Sequence, residues 1–245
     1  MEMKEGIFRI AGVPVMIRSL HAQVQTMCAD YLSGDEPETV ITTAQSDIDF
    51  EREKSVQERK LEGLPPLEYS DPYLETLAVY RKLSAVLLDK DVLLFHGAVI
   101  AVGNCAFLFT APSGTGKTTH IRLWLKNIPG AFVVNGDKPL LKITESGVIA
   151  FGTPWQGKES LGRNTAVPLK AICILERDKT NHIGKIGASE AFPTLVQQSN
   201  RPDEPEGLIR TIDLVKKLAK NTSLYRLGCN MDDEAAAVAF DGMRE

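Results

Sequence analysis

Cys105-Ala106-Phe107-Leu108-Phe109-Thr110-Ala111-Pro112-Ser113-Gly114-Thr115-Gly116-Lys117-Thr118-Thr119-His120-Ile121-Arg122-Leu123-Trp124-Leu125 passes from an apolar run through a glycine-rich turn into a helix-like run. Strand, glycine turn, Lys-Thr and helix, in that order, is the layout of a phosphate-binding loop. Glycines let backbone N–H groups curl around an anion, and the N-terminus of the following helix adds partial positive charge. The predicted nucleotide contacts are therefore Ser113, Gly114, Thr115, Gly116, Lys117, Thr118 and Thr119. Lys117 would neutralise the β- and γ-phosphates of ATP, and the Thr118 hydroxyl would hold Mg²⁺. The competing reading is a plain glycine turn that starts a helix beside a surface lysine.

The loop departs from the usual pattern at its first position, where Ala111 replaces glycine. A positive φ there would cost alanine about 1 kcal/mol. Pro112 behind it favours an extended Ala111, in which case alanine is harmless. The loop reads as a variant class.

Outward from the loop the chain is rich in short strands. Upstream, Val92–Phe95 and Ala98–Val102 bracket His96-Gly97, and Gly103-Asn104 turns into the loop strand. Downstream come Ala131–Val134, the turn Asn135-Gly136-Asp137, and a hairpin of Leu140–Ile143 with Val148–Phe151. Ala171–Leu175 reads as a buried strand, with a further short strand at 183–186, helices near 189–198 and 205–220, a strand at 224–227 and a helix at 232–240. Hairpins in this number do not suit a doubly wound parallel sheet, so a mixed, partly antiparallel α/β core is expected.

The N-terminal part reads as a small α+β region. Residues 6–18 alternate like a hairpin, 21–32 carry helical spacing, and 39–43 form a strand. Residues 47–66 are charged and end in Gly63-Leu64-Pro65-Pro66, which predicts an exposed connection. Asp71–Leu88 is a helix with Asp71 as cap and Pro72 in its first turn. The expected division is 1–68 and 69–245.

Composition narrows the classes. At 245 residues with 43% hydrophobic and 24% charged residues the chain is ordinary for a globular protein. A net charge of −4 supplies no basic surface, so no nucleic-acid partner is expected. Four scattered cysteines without a Cys-x-x-Cys pair suit a reducing compartment. No apolar run is long enough to span a bilayer, and Met1–Glu5 lacks a signal-peptide layout. A cytoplasmic protein without a membrane partner is the expectation.

Phosphoryl transfer also needs a metal, an in-line acceptor and a proton acceptor. Asp137 follows the strand after the loop helix, where a carboxylate can reach Mg²⁺; the plain alternative is an Asn-Gly turn. His96 precedes a glycine between two strands, although a lone histidine there is more often a core residue. Gly152–Asn164 is a polar, glycine-rich loop in which Lys158 and Arg163 are phosphate or substrate candidates and Trp155 an aromatic for packing on a ligand. Solvated loop charges explain the two cations equally well.

His96-Gly97, the turn at Gly103, the apolar strand, Pro112–Thr118 and Asp137 together resemble the catalytic domain of HPr-serine kinase/phosphorylase and, more distantly, ATP-dependent phosphoenolpyruvate carboxykinase. The resemblance spans roughly residues 90–165. It implies a carboxykinase-type mixed sheet with a P-loop core, ATP with Mg²⁺, and phosphorylation of a serine-type hydroxyl on a protein, peptide or metabolite. It also implies Asp137 as base or metal-side carboxylate, assisted by His96, and a homo-oligomer. The family's second aspartate is absent, because Lys138 follows Asp137, and its glycine-rich phosphorylase signature is not recognisable. A nucleotide-binding regulatory module without catalysis and a small-molecule carboxykinase are the alternatives.

Overall fold

Alternating apolar residues in Lys4–Ile10 (β1) and Val13–Ser19 (β2) pair antiparallel around a turn in which Ala11 and Gly12 take φ of 51° and 81°. That pair of positive φ values matches the right-handed twist of the two strands. After a short helix, Ala22–Met27 (α1), Thr39–Thr42 (β3) joins β2 in parallel. The computed structural model describes residues 3–61, 63–157, 159–202 and 204–244.

The charged segment after β3 is a helix, Gln45–Leu61 (α2), and not an exposed connection. Its apolar period is weak. Ion pairs hold it instead to the helix Asp71–Leu88 (α3): Arg81 Nε lies 2.6 Å from Glu51 and Lys82 Nζ 2.7 Å from Asp47. On α3 the buried Glu75 accepts hydrogen bonds from the backbone N–H of Leu20 (2.6 Å) and His21 (2.8 Å) and from the Thr43 hydroxyl. The chain divides into two units, Met1–Val86 and Leu87–Glu245.

The second unit is built on a curled mixed sheet. Its strands are Val92–Leu94 (β4), Ala98–Val102 (β5), Cys105–Thr110 (β6), Ala131–Asn135 (β7), Leu140–Thr144 (β8), Gly147–Phe151 (β9), Ala166–Arg177 (β10), His182–Lys185 (β11) and Ser223–Cys229 (β12). The order is β4-β8-β9-β10-β6-β5-β7, with β12 also on β10 and β11 on β12. Within this unit, among the described residues, the parallel pairs are β6 with β10 and β10 with β12. Strand β10 joins the two parts: Ala166–Pro168 pairs antiparallel with β9, and Ala171–Arg177 pairs parallel with β12. Twelve residues, about 40 Å of extended chain, give it the reach for both.

Period-two alternation sorts the two faces. Ala106, Leu108, Ile172 and Ile174 point into one core, covered by Ala188–Gln198 (α5) and Pro205–Asn221 (α6). Phe107, Phe109, Ala171 and Cys173 point into the other, covered by Lys117–Asn127 (α4) and Glu234–Arg244 (α7). Both faces of the central strands are thus apolar, as buried parallel strands require. Among the described residues no helix is long and apolar enough to cross a membrane.

Candidate functional site

The carboxyl end of β6 opens into the glycine-rich loop. Gly114 and Gly116 take φ of 78° and 126°, conformations that strain any side chain. Ala111 is fully buried and outside the positive-φ region, so alanine is accommodated at the variant position. The N-terminus of α4 has no side-chain cap and no acidic residue in its first turn. Its free N–H groups and dipole are therefore open to an anion. Lys117 Nζ donates to Ala111 O at 2.7 Å and lies 3.4 Å from Pro112 O. Burial lowers the pKa of its ammonium, partly offset by Asp137.

Two supports fix this loop. Helix α4 is pinned by Trp124, fully buried among Phe107, Phe109 and Phe240 at ring distances of 5.3–5.5 Å. On the loop's other flank, at the end of β10, the Arg177 guanidinium donates from Nε to Thr115 O at 3.1 Å and from Nη2 to Gly114 O. These bonds satisfy the carbonyls of Gly114 and Thr115, while Thr115 N donates to Pro112 O at 3.3 Å within the loop. Arg177 also lines a cleft of about 570 Å³ between the loop and α5, with Ser113, Thr194, Gln197 and Arg226.

His96 and Asp137 come together beside the loop. His96 Nε2 lies 3.5 Å from Asp137 Oδ1, both side chains about one-third exposed. The backbone is laced as well: Gly97 N donates to Asp137 O at 2.9 Å. A Cβ on Gly97 would stand 2.9 Å from Phe109 O, so glycine is what lets the His96 corner sit against β6. Asn135 Oδ1 accepts from the N–H of Asp137 (2.9 Å) and Lys138 (2.6 Å), an Asx turn that aims the Asp137 carboxylate. Burial pushes the Asp137 pKa up. The His96 hydrogen bond and the charges of Lys138, His96 and Lys117 outweigh it and leave the carboxyl below its ordinary value.

The 152–164 loop packs over this turn. Asn135 bridges to Gly162, and Asn135 Nδ2 donates to the Thr153 hydroxyl at 2.9 Å. Trp155 is 7% exposed and belongs to the core, where the sequence suggested a ligand platform. The Arg163 guanidinium stacks on Phe132, 4.9 Å from the ring centre. Lys158 lies outside the described residues. Glu159 ties the loop to α4 through a bidentate contact with Arg122 at 2.6 Å.

Two residues at this site went unnoticed in the sequence, Arg177 and Gln198. Gln198 Oε1 lies 2.7 Å from His96 Nδ1, across 102 residues of chain. Arg177 carries a local signal, a cation ending a long apolar strand parallel to the loop strand; Gln198 carries none. Among the described residues no group of three or more His, Cys, Asp or Glu can enclose a metal. Oxygens from the exposed Thr118 and the ionised Asp137 suit Mg²⁺, which keeps most of its waters.

No family model matches the chain, and no curated protein does. Among solved structures it is similar to the Hpr(Ser) kinase/phosphatase from Coxiella burnetii, with 13% identity and a TM-score of 0.27 over 52% of this chain and 88% of that one.

Proposed function

We propose that this chain is an ATP-dependent kinase that transfers the γ-phosphoryl group to a serine-type hydroxyl on a small protein, peptide or metabolite. The observation that carries the reading is the meeting of two sets of groups at one strand edge. An uncapped helix N-terminus with positive-φ glycines and Lys117 suits phosphates, and Asp137 feels both Lys117 and His96. Ligand sites at the carboxyl ends of parallel strands are the general rule for such sheets.

In this reading the N–H groups of Ser113 to Thr119 hold the phosphate chain and Lys117 neutralises its charge. Thr118 and Asp137 would hold Mg²⁺, which would supply further neutralisation of phosphate charge. The acceptor oxygen forms its bond to Pγ as the bond from Pγ to the ADP oxygen breaks. The hydroxyl proton passes to the Asp137–His96 pair. Phosphotransfer from labelled ATP to candidate acceptors tests this. Lys117→Ala and Asp137→Asn should each fall roughly 10²–10³-fold in rate. Equal transfer by both variants and wild type would falsify the kinase reading. ATP binding without transfer to any acceptor favours a regulatory module, the reading suggested by Lys138 in place of a second carboxylate.

A further inference from the structure

Strand β6 ends at Thr110, opposite Ile174, while its parallel neighbour β10 runs on to Arg177. That overhang, the glycine-rich loop and α5 enclose the cleft of about 570 Å³. Thr194 and Gln197, three residues apart and so on one face of α5, give it a hydroxyl and an amide. Lys117, Thr118 and Thr119 do not line it. They begin α4, which covers the opposite face of the sheet from α5. The cleft is therefore a compartment of its own, sharing only its loop wall with the nucleotide site.

Its two arginines differ in their counter-charges. Arg226 meets Glu176 and, at 3.1 Å, Glu190, so two carboxylates surround its charge. Arg177 has no carboxylate partner among the described residues. Its Nε and Nη2 are taken by the carbonyls of Thr115 and Gly114, which leave the net charge in place and Nη1 still able to donate. A guanidinium held this way favours an anion. Glu176 in the same wall disfavours a doubly charged one, so the matching group is a carboxylate and not a phosphate. Along the strand order β10-β6-β5-β7 the cleft lies on the β10 side, and the His96–Asp137 pair lies on the β5–β7 side. Two to three strand spacings is about 10–14 Å, the reach of about three to four extended residues.

We propose that the cleft holds a carboxylate of a peptide acceptor, about three to four residues from the hydroxyl that is phosphorylated, with Arg177 as its counter-charge. The proposal rests on the kinase reading for that spacing, and on the cleft's own charges for the carboxylate.

The test uses the full chain and short serine peptides of alanine and glycine. One series is amidated at its C-terminus and carries an aspartate at stepped distances from the serine, with asparagine as the control. The other has no aspartate and a free C-terminal carboxylate at the same distances, with the amide as the control. By fluorescence anisotropy the wild type should bind at least one series roughly fivefold more tightly than its neutral control. Which series does so tells a side-chain carboxylate from a chain terminus. Arg177→Met should abolish the preference, and Arg177→Lys, which keeps the charge, should retain most of it. In phosphotransfer the gain from the carboxylate should peak at about three to four residues from the serine. No preference in either series overturns the proposal, as does a preference that survives in Arg177→Met or a gain indifferent to spacing. If the methionine variant fails to fold, Glu176→Gln decides: losing the wall's own carboxylate should raise the preference, and an unchanged one overturns the proposal. Transfer to other acceptors but to none of these peptides overturns it too. A carboxylate preference in binding, with no transfer to any acceptor, overturns the kinase reading and leaves the occupant of the cleft standing.

Discussion

Two histidines flank the glycine-rich loop, His96 at the corner before β5 and His120 in the first turns of α4, and their surroundings differ in kind. His96 is one-third exposed, with Gln198 at one nitrogen and Asp137 near the other. His120 is 3% exposed, accepts from Trp124 Nε1 at 3.0 Å through Nε2, and its Nδ1 has no partner. Its ring sits edge-on to Phe109 at 4.6 Å. The first arrangement leaves the ring in reach of solvent. The second can only stay neutral, and burial lowers its pKa to about 4. One residue type sits in a polar, part-exposed corner and also serves as a core wedge, and the environment decides which.

Alanine at each position breaks or sharpens that contrast. His120→Ala should empty space beside Phe109 and orphan the Trp124 N–H, costing about 2–4 kcal/mol. Phosphotransfer per folded molecule should stay within a few-fold of wild type. His96→Ala should do the reverse, with transfer depressed and the urea midpoint nearly kept. Equal midpoints for the two variants would remove the distinction.

Acid exposes the same difference. A base whose pKa is lower in the folded state than in the unfolded chain binds more protons unfolded, so stability falls as pH drops below the unfolded value. For His120 the window runs from the ordinary 6.5 down to about 4. Between pH 7 and pH 4.5 it should cost roughly 2–3 kcal/mol. Urea titrations at both pH values, repeated on His120→Leu, isolate this share. An acid loss as steep in the leucine variant as in wild type would assign it to other groups.

How much of this was legible follows from where the signals lie along the chain. The loop announces itself because its strand, glycines, lysine and helix are consecutive, and Asp137 and His96 sit at strand ends close to it in sequence. The helix α2 was not legible, because Asp47 and Glu51 earn their helical state from Arg81 and Lys82 on another helix and not from an apolar stripe. The first part of β10, Ala166–Lys170, lay outside the strand read at Ala171–Leu175, and its partners are supplied from far along the chain by β9 and β6. Trp155 looked like a ligand platform only because its burial is decided by the turn at Asn135. The contact of Gln198 with His96 spans more than a hundred residues, and nothing local in either segment marks it.

The smallest expected effect concerns Arg177, at the glycine-rich loop that the two histidines flank. Its fork holds the carbonyls of Gly114 and Thr115, yet the glycines already permit the loop's shape without it. Arg177→Met keeps the aliphatic stem and removes both hydrogen bonds, each worth about 1 kcal/mol net. If the arginine preorganises the cradle, ATP should bind roughly five- to tenfold more weakly by calorimetry while kcat at saturating ATP holds. The Gly114–Gly116 amides should also exchange faster with solvent. Arg177→Lys should fall nearer to Met than to wild type, because one ammonium cannot fork between two adjacent carbonyls as a planar guanidinium does. Unchanged affinity and exchange in Arg177→Met would mean that the glycines and the anchored α4 set the loop alone, and that Arg177 serves the cleft instead.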